Sequence, residues 1–223
     1  MKDQTDITLL LDRTGSMLGI VDEVVGGVNG FVELQKDAGD VVYTLVQFDS
    51  LDNQEVVHDA VPIDEVPLMT PETYIPRALT PLYDALGLAI ARTGERLKQL
   101  AEGERPERIV FVVFTDGHEN ASTEYKVSAV RDMVETQHEK YGWEFVFLGA
   151  DIDAFGEAGS MGVARGTTAN LARENVRSAL VHTGVNVMAY ATGGDRDFLS
   201  FSDHQREELG KLSRKTREQE KEL

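Results

Sequence analysis

Five runs rich in β-branched and aromatic residues recur along the chain: "ITLLLD" (7–12), "VVYTLVQFD" (41–49), "EVVHDAV" (55–61), "RIVFVVFTD" (108–116) and "WEFVFLGA" (143–150). Three of them are nearly continuous apolar runs, the pattern of strands buried on both faces of a parallel sheet. Between the runs lie helical periodicities. Val21, Val24, Val25, Val28, Phe31 and Val32 recur at spacings of three and four, as do Leu82, Ala85, Leu86, Ala89 and Ile90, and then Val127, Val130 and Val134. Strand alternating with helix predicts an α/β fold with a doubly wound, mostly parallel central sheet and helices on both faces.

The segment 54–76 breaks that alternation, with Pro62, Pro67, Pro71 and Pro76 around a short strand. It reads as one antiparallel edge strand in a hairpin, followed by a loop. Residues 151–202 give weaker signals: a short helix in "DAFGEAGSMG", a short strand near 163–167, and a longer helix in "ENVRSALVHTGVNVMAYAT".

A chain of 223 residues with 41% hydrophobic content has material for one sizeable core. Residues 1–202 are therefore expected to form one domain, and 203–223 a charged helical tail with Leu209 and Leu212 as its apolar anchors. Cysteine is absent, which excludes disulfides, thiolate metal sites and cysteine nucleophiles. With no signal-like leader and no apolar run of membrane-spanning length, the expected location is cytoplasmic, off the membrane. The net charge of −17 speaks against nucleic acid as a partner. Six acidic and six basic residues in 203–223 leave that whole deficit on residues 1–202.

In an open α/β sheet, ligands bind in the crevice beyond the carboxyl ends of the strands. Oxygen-bearing side chains gather at those ends. Asp12, Thr14 and Ser16 follow the first strand in "DRTGS", Thr80 sits in "LTPLYDAL" before a helix, and Asp116 ends "VFVVFTD". Two carboxylates and three hydroxyls, with no His or Cys, form a hard all-oxygen set suited to Mg²⁺, with Mn²⁺ or Ca²⁺ as alternatives. Two carboxylates balance a divalent charge, and magnesium resists a closed protein cage, so an open coordination position is expected.

"DRTGS" resembles the D-x-S-x-S motif of von Willebrand factor type A (vWA) domains, with Thr14 where serine is usual. "LTPLYDAL" and "VVFTDGHENAS" resemble that family's second and third metal loops, and order and spacing agree over about residues 5–195. The run from "TDGHENAS" to "YGWEFVFLGAD" is most similar to small intracellular bacterial or phage-borne members. The resemblance implies a Rossmann-like vWA fold with a metal-ion-dependent adhesion site (MIDAS) at Asp12, Thr14, Ser16, Thr80 and Asp116. It implies recognition without turnover, the ion accepting a Glu or Asp carboxylate from a protein partner.

Other readings compete at each position. Asp, Thr and Ser at strand ends also cap helices and shape turns, and Thr80 with Pro81 suits a helix N-cap. His118 and Glu119 suit a solvated loop, Asp151 and Asp153 a helix start, and Asp49 and Asp52 a turn. The histidines at 58, 138, 182 and 204 lack ligand spacing, and Met161 and Met188 suit packing. An enzyme is the alternative class: a Mg²⁺-dependent phosphatase of haloacid dehalogenase type, with Asp12 as nucleophile, Thr80, and acidic ligands in "GADID". Thr14 argues against it, because such enzymes place a second aspartate there as acid and base. A third reading makes the metal structural and puts recognition on the hairpin near 50–66 or on the tail.

Overall fold

A computed structural model describes residues 3–211. In chain order its strands and helices are β1 (Thr5–Asp12), α1 (Val21–Gln35), β2 (Val41–Asp49), β3 (Asp52–Pro62), α2 (Leu82–Lys98), β4 (Arg108–Thr115), α3 (Val127–Tyr141), β5 (Glu144–Ala150), α4 (Ala154–Ser160), β6 (Thr168–Leu171), α5 (Val176–Gly193) and α6 (Asp203–Leu209). Among the described residues, the six strands form one sheet in the order β3-β2-β1-β4-β5-β6. All pairings are parallel except β2 with the edge strand β3. This is the doubly wound architecture that the alternating pattern implies.

Continuous apolar runs mark strands with a helical layer on each face. Ile7, Leu9 and Leu11 of β1 and Val110, Val112 and Phe114 of β4 point into one core layer, with Val24, Val28 and Phe31 of α1 and Leu180 and Val187 of α5. Leu10, Phe111 and Val113 point into the other, with Leu86 and Ile90 of α2, Val130 and Val134 of α3 and Ala154 of α4. Successive strand side chains alternate between faces, so a run with no polar partner position is what two covered faces demand.

The strand near 163–167 lies a few residues later, at β6. Val163 packs in the second core layer, and 165–167 form a single 3-10 turn, so the apolar signal there belongs to a loop that packs inward. In α6 the Leu209 side chain is fully buried in the α1/α5 layer, while Leu212 lies outside the described residues. No helix among the described residues is long and apolar enough to cross a membrane.

The strand order places β2 and β4 on opposite sides of β1. The chain runs from β1 to one side and later returns to the other, which opens a crevice above the carboxyl ends of β1 and β4. The helices flanking β1 are closely packed: a β-carbon at Gly27 of α1 would lie 2.6 Å from Leu180 Cδ1 and 3.1 Å from Arg177 Cα of α5. By contrast, Gly94 on α2 has open space where its β-carbon would be. Gly27→Ala is expected to destabilise the protein by about 1–3 kcal/mol through overpacking. Gly94→Ala is expected to stabilise it by up to about 1 kcal/mol through helix propensity. Urea denaturation of both variants checks the opposite signs.

Candidate metal centre

Asp12 ends β1 with its side chain fully buried. The chain then turns through Arg13 and Thr14 into a 3-10 turn at Gly15–Ile20 that leads into α1. Asp12 Oδ1 accepts the Thr14 amide at 2.7 Å, and Oδ2 accepts the Thr115 hydroxyl, at the end of β4, at 2.6 Å. The Thr14 and Ser16 hydroxyls lie 3.0 Å apart, and Ser16 Oγ donates to Asp116 Oδ1. One turn after β1 and one turn after β4 thus share a continuous set of oxygens.

Thr80 joins them from the second loop, just before α2. The first amides of α2, which starts at Leu82, are taken by Glu119 at Tyr83 and by Ser122 at Asp84, both at 3.0 Å, so the Thr80 hydroxyl is not needed as a helix cap. It faces Gly117 instead: a β-carbon there would lie 2.9 Å from Thr80 Oγ1 and 3.8 Å from Ser16 Oγ. Glycine at 117 therefore keeps clear the space between the second and third loops. Asn120 fixes Thr80 from both sides, its Oδ1 accepting the Thr80 amide at 2.9 Å and its own amide donating to the Thr80 carbonyl at 3.0 Å. All five residues singled out in the sequence meet at the crevice.

The electrostatics of this cluster are unbalanced. Burial pushes the Asp12 carboxyl up to about 6, the bonds from Thr115 and Thr14 only partly offsetting it, and nearby Asp116 raises it further. Burial also raises Asp116, against the pull of Ser16 and of Arg173. Arg173 reaches in from the turn after β6 and donates through Nη2 to Asp116 Oδ2 and to the Ser16 carbonyl. Among the described residues no group of three or more His, Cys, Asp or Glu is arranged around one point. The cluster is a two-carboxylate site completed by hydroxyls.

A buried ion-pair network holds the loop that carries Thr80. Arg13 Nε and Nη2 donate to Asp49 Oδ2 at 3.0 and 2.7 Å, and Arg13 Nη1 donates to Gln47 at 3.2 Å and meets Glu55 at 2.5 Å. Arg77 donates to the same Asp49 oxygen at 2.9 Å, while Asp49 Oδ1 accepts the Leu51 and Asp52 amides. The main chain of the loop is tied down as well, by Arg77 N to the Arg13 carbonyl at 2.8 Å and Gly15 N to the Ala78 carbonyl at 3.1 Å. Tyr74 donates from its hydroxyl to the Asp12 carbonyl at 2.5 Å.

The remaining polar positions have local duties. Glu119 accepts the Tyr83, Ala121 and Ser122 amides, and Asp153 caps α4 through the Gly156 amide. His118 is exposed and 3.9 Å from Glu157. Met161 is fully buried in the second core layer. Thr115 stood in view beside Asp116 in "FTDG", whereas Tyr74, Asn120 and Arg173 act across 62, 40 and 57 residues and carry no local pattern.

No protein-family model and no curated protein matches the sequence. Solved structures match it in fold. A von Willebrand factor type A protein from Catenulispora acidiphila superposes with a TM-score of 0.60 at 12% identity over 85% of this chain and 43% of its own. The pilus adhesin SpaC from Lactobacillus rhamnosus GG, in an open conformation, gives 0.60 at 13% identity over 83% and 30%. Proximal thread matrix protein 1 from the mussel byssus, whose MIDAS motif is occupied by zinc, gives 0.53 at 16% identity over 79% and 46%. The chain thus has the vWA-like fold, and it spans less than half the length of each of these three proteins.

Burial by itself would raise Asp49, but the bonds from Arg77, the Leu51 amide and Arg13 outweigh it and hold the carboxyl below its ordinary value. A lowered carboxylate stabilises the fold above its unfolded value of 3.8, and that contribution disappears as pH falls through the folded value. Asp49→Asn is expected to cost about 3 kcal/mol at neutral pH, by leaving the buried Arg13 guanidinium short of charge. Its stability is also expected to fall less than that of the wild type below about pH 4. Thermal melts of both proteins from pH 7 to 3 check this.

Proposed function

We propose that Asp12, Thr14, Ser16, Thr80 and Asp116 hold a divalent cation, Mg²⁺, and that the protein uses it to bind a partner protein through a Glu or Asp carboxylate. The observation that carries this reading is the pair of buried carboxylates, both raised by desolvation and ringed by three hydroxyls, at the switch-point crevice. A bound cation supplies there a Lewis-acidic position for an anionic oxygen. The chain's own part is to present hard oxygens without His or thiolate, to keep the space beside Gly117 clear, and to hold three loops in register. The fit to a small hard ion rests on that donor set.

The surroundings favour a protein as the partner. Leu18, Leu51, Ile75 and Leu79 are between 57% and 73% exposed, and each sits on a loop that contributes to the centre or is bonded to one. They suit a partner with apolar side chains around its carboxylate. The body's net charge calls for a partner that is basic or neutral elsewhere. Recognition rather than turnover is supported by Thr14, whose hydroxyl stands where a general acid and base would be needed two residues after Asp12.

Calorimetric titration of EDTA-stripped protein is expected to give saturable one-site Mg²⁺ binding, lost in Asp12→Ala and Asp116→Ala variants with native circular dichroism. Gly117→Ala is expected to weaken binding about tenfold by pushing on the Thr80 hydroxyl. Absence of Mg²⁺ and Mn²⁺ binding to the wild type would sink the reading. Metal-dependent capture that survives removal of the partner's acidic residues would keep the ion and discard the carboxylate contact.

A further inference from the structure

The Arg173 side chain is the unusual part of the centre. It comes from the turn after β6, two strands away from β4 in the sheet order, and crosses the end of β5 to reach Asp116. Among the described residues, its ion pair is made with Asp116. Its Nη2 also meets the Ser16 carbonyl, so one guanidinium bridges the turn after β1 and the turn after β4. A cation that pairs with Asp116 and reaches the Ser16 carbonyl stands among the same oxygens that a metal ion would take.

The backbone around Arg173 is pinned while its side chain has somewhere to go. Asp151 N donates to the Leu171 carbonyl, Ala172 N donates to the Leu209 carbonyl, both at 3.0 Å, and Asn175 Nδ2 donates to the Leu209 carbonyl at 2.8 Å. A cavity of about 540 Å³ opens beside the guanidinium, lined also by Ile20, Glu23, Asp151 and Glu174. Rotation about the side-chain bonds alone can move the charge off Asp116 and towards Asp151, while Glu23 is already paired with Arg177. A long arm on a fixed base, with acidic walls beside it, can exchange between two positions without refolding any element.

We propose that Arg173 is the counter-cation of the metal-free centre and is displaced from Asp116 when a divalent ion binds, so that this side chain sets the ion concentration at which the centre fills. The proposal rests on the metal-binding reading above. Competition of this kind multiplies the intrinsic affinity by the fraction of molecules whose arm is already away from Asp116. With that fraction near a tenth, removing the arm tightens Mg²⁺ binding about tenfold. The same removal weakens the metal-free fold, because the Asp116–Ser16 pair loses the cation that bridges it.

The test is Mg²⁺ calorimetry on the EDTA-stripped full chain as wild type, Arg173→Gln, Arg173→Lys and Arg131→Gln, with melts of each in EDTA and in excess Mg²⁺. Arg131→Gln removes an equal charge without touching the centre or the cavity beside it, since Arg131 pairs with Glu135 at 3.4 Å and donates to the Gly159 carbonyl. The expected result is about tenfold tighter Mg²⁺ for Arg173→Gln, a smaller gain for Arg173→Lys, and no comparable gain for Arg131→Gln. Melting of Arg173→Gln should be lower than wild type in EDTA and converge with it in Mg²⁺. Unchanged or weaker Mg²⁺ affinity in both Arg173 variants, with the wild type binding normally, overturns the proposal and leaves the metal reading standing. An equal gain in Arg131→Gln overturns it too, assigning the effect to net charge. Absence of Mg²⁺ binding in every protein overturns both readings together.

Discussion

The structure depends on one constraint: β1 is buried along all eight of its residues, paired in parallel on both edges and covered on both faces. A strand in that position can have no exposed end residue unless the chain rises clear of the sheet. Asp12 does not. Its carboxylate is left in a dry setting, where ionisation is costly, and the hydroxyl and amide that bond it only partly offset that cost. The turn after β1 and the end of β4 bond this carboxylate, and the loop leading to Thr80 is tied to the main chain beside it through Tyr74 and Arg77.

The architecture was legible because its cause is local. An apolar run with no alternation has to be covered twice, and the periodic segments between runs supply the covers, so "RIVFVVFTD" and its neighbours announce a doubly wound sheet by themselves. The antiparallel edge was legible for the complementary reason. β3 is mostly half-exposed, and it ends at Pro62, where a ladder donor is dispensable. The short β6 lies a few residues beyond the strand the pattern predicts, because Val163 is apolar for the sake of loop packing while the strand itself, "TANL", has only two apolar residues.

The candidate site divides along the same line. Asp12, Thr14, Ser16, Thr80 and Asp116 stand out because oxygen-bearing residues next to apolar runs are conspicuous, and each lies at or near the end of such a run or at a helix start. The groups that aim them do not stand out. Asn120 clamps Thr80 through two backbone bonds, and Tyr74 bonds a main-chain carbonyl across 62 residues. Arg13 lies within the quoted motif, yet its partners Gln47, Asp49 and Glu55 come from β2 and β3. Such pairings follow from strand adjacency and loop closure, which a linear pattern does not encode.

Two buried carboxylates can be accommodated by protonation, by an internal cation or by a bound one, and this chain provides for each to a different degree. Asp12 is moved towards the first, its carboxyl raised by burial to about 6, yet it stays mostly ionised at neutral pH. Asp116 has the second in Arg173. The three hydroxyls favour the third, since they add oxygen donors without adding charge and serve a divalent ion better than they serve a guanidinium already bonded to Asp116 and a carbonyl. The proton and the arginine are both monovalent and each satisfies one carboxylate, whereas a divalent ion satisfies both at once. On the proposed reading, that difference in valence is what would favour a divalent ion at this crevice.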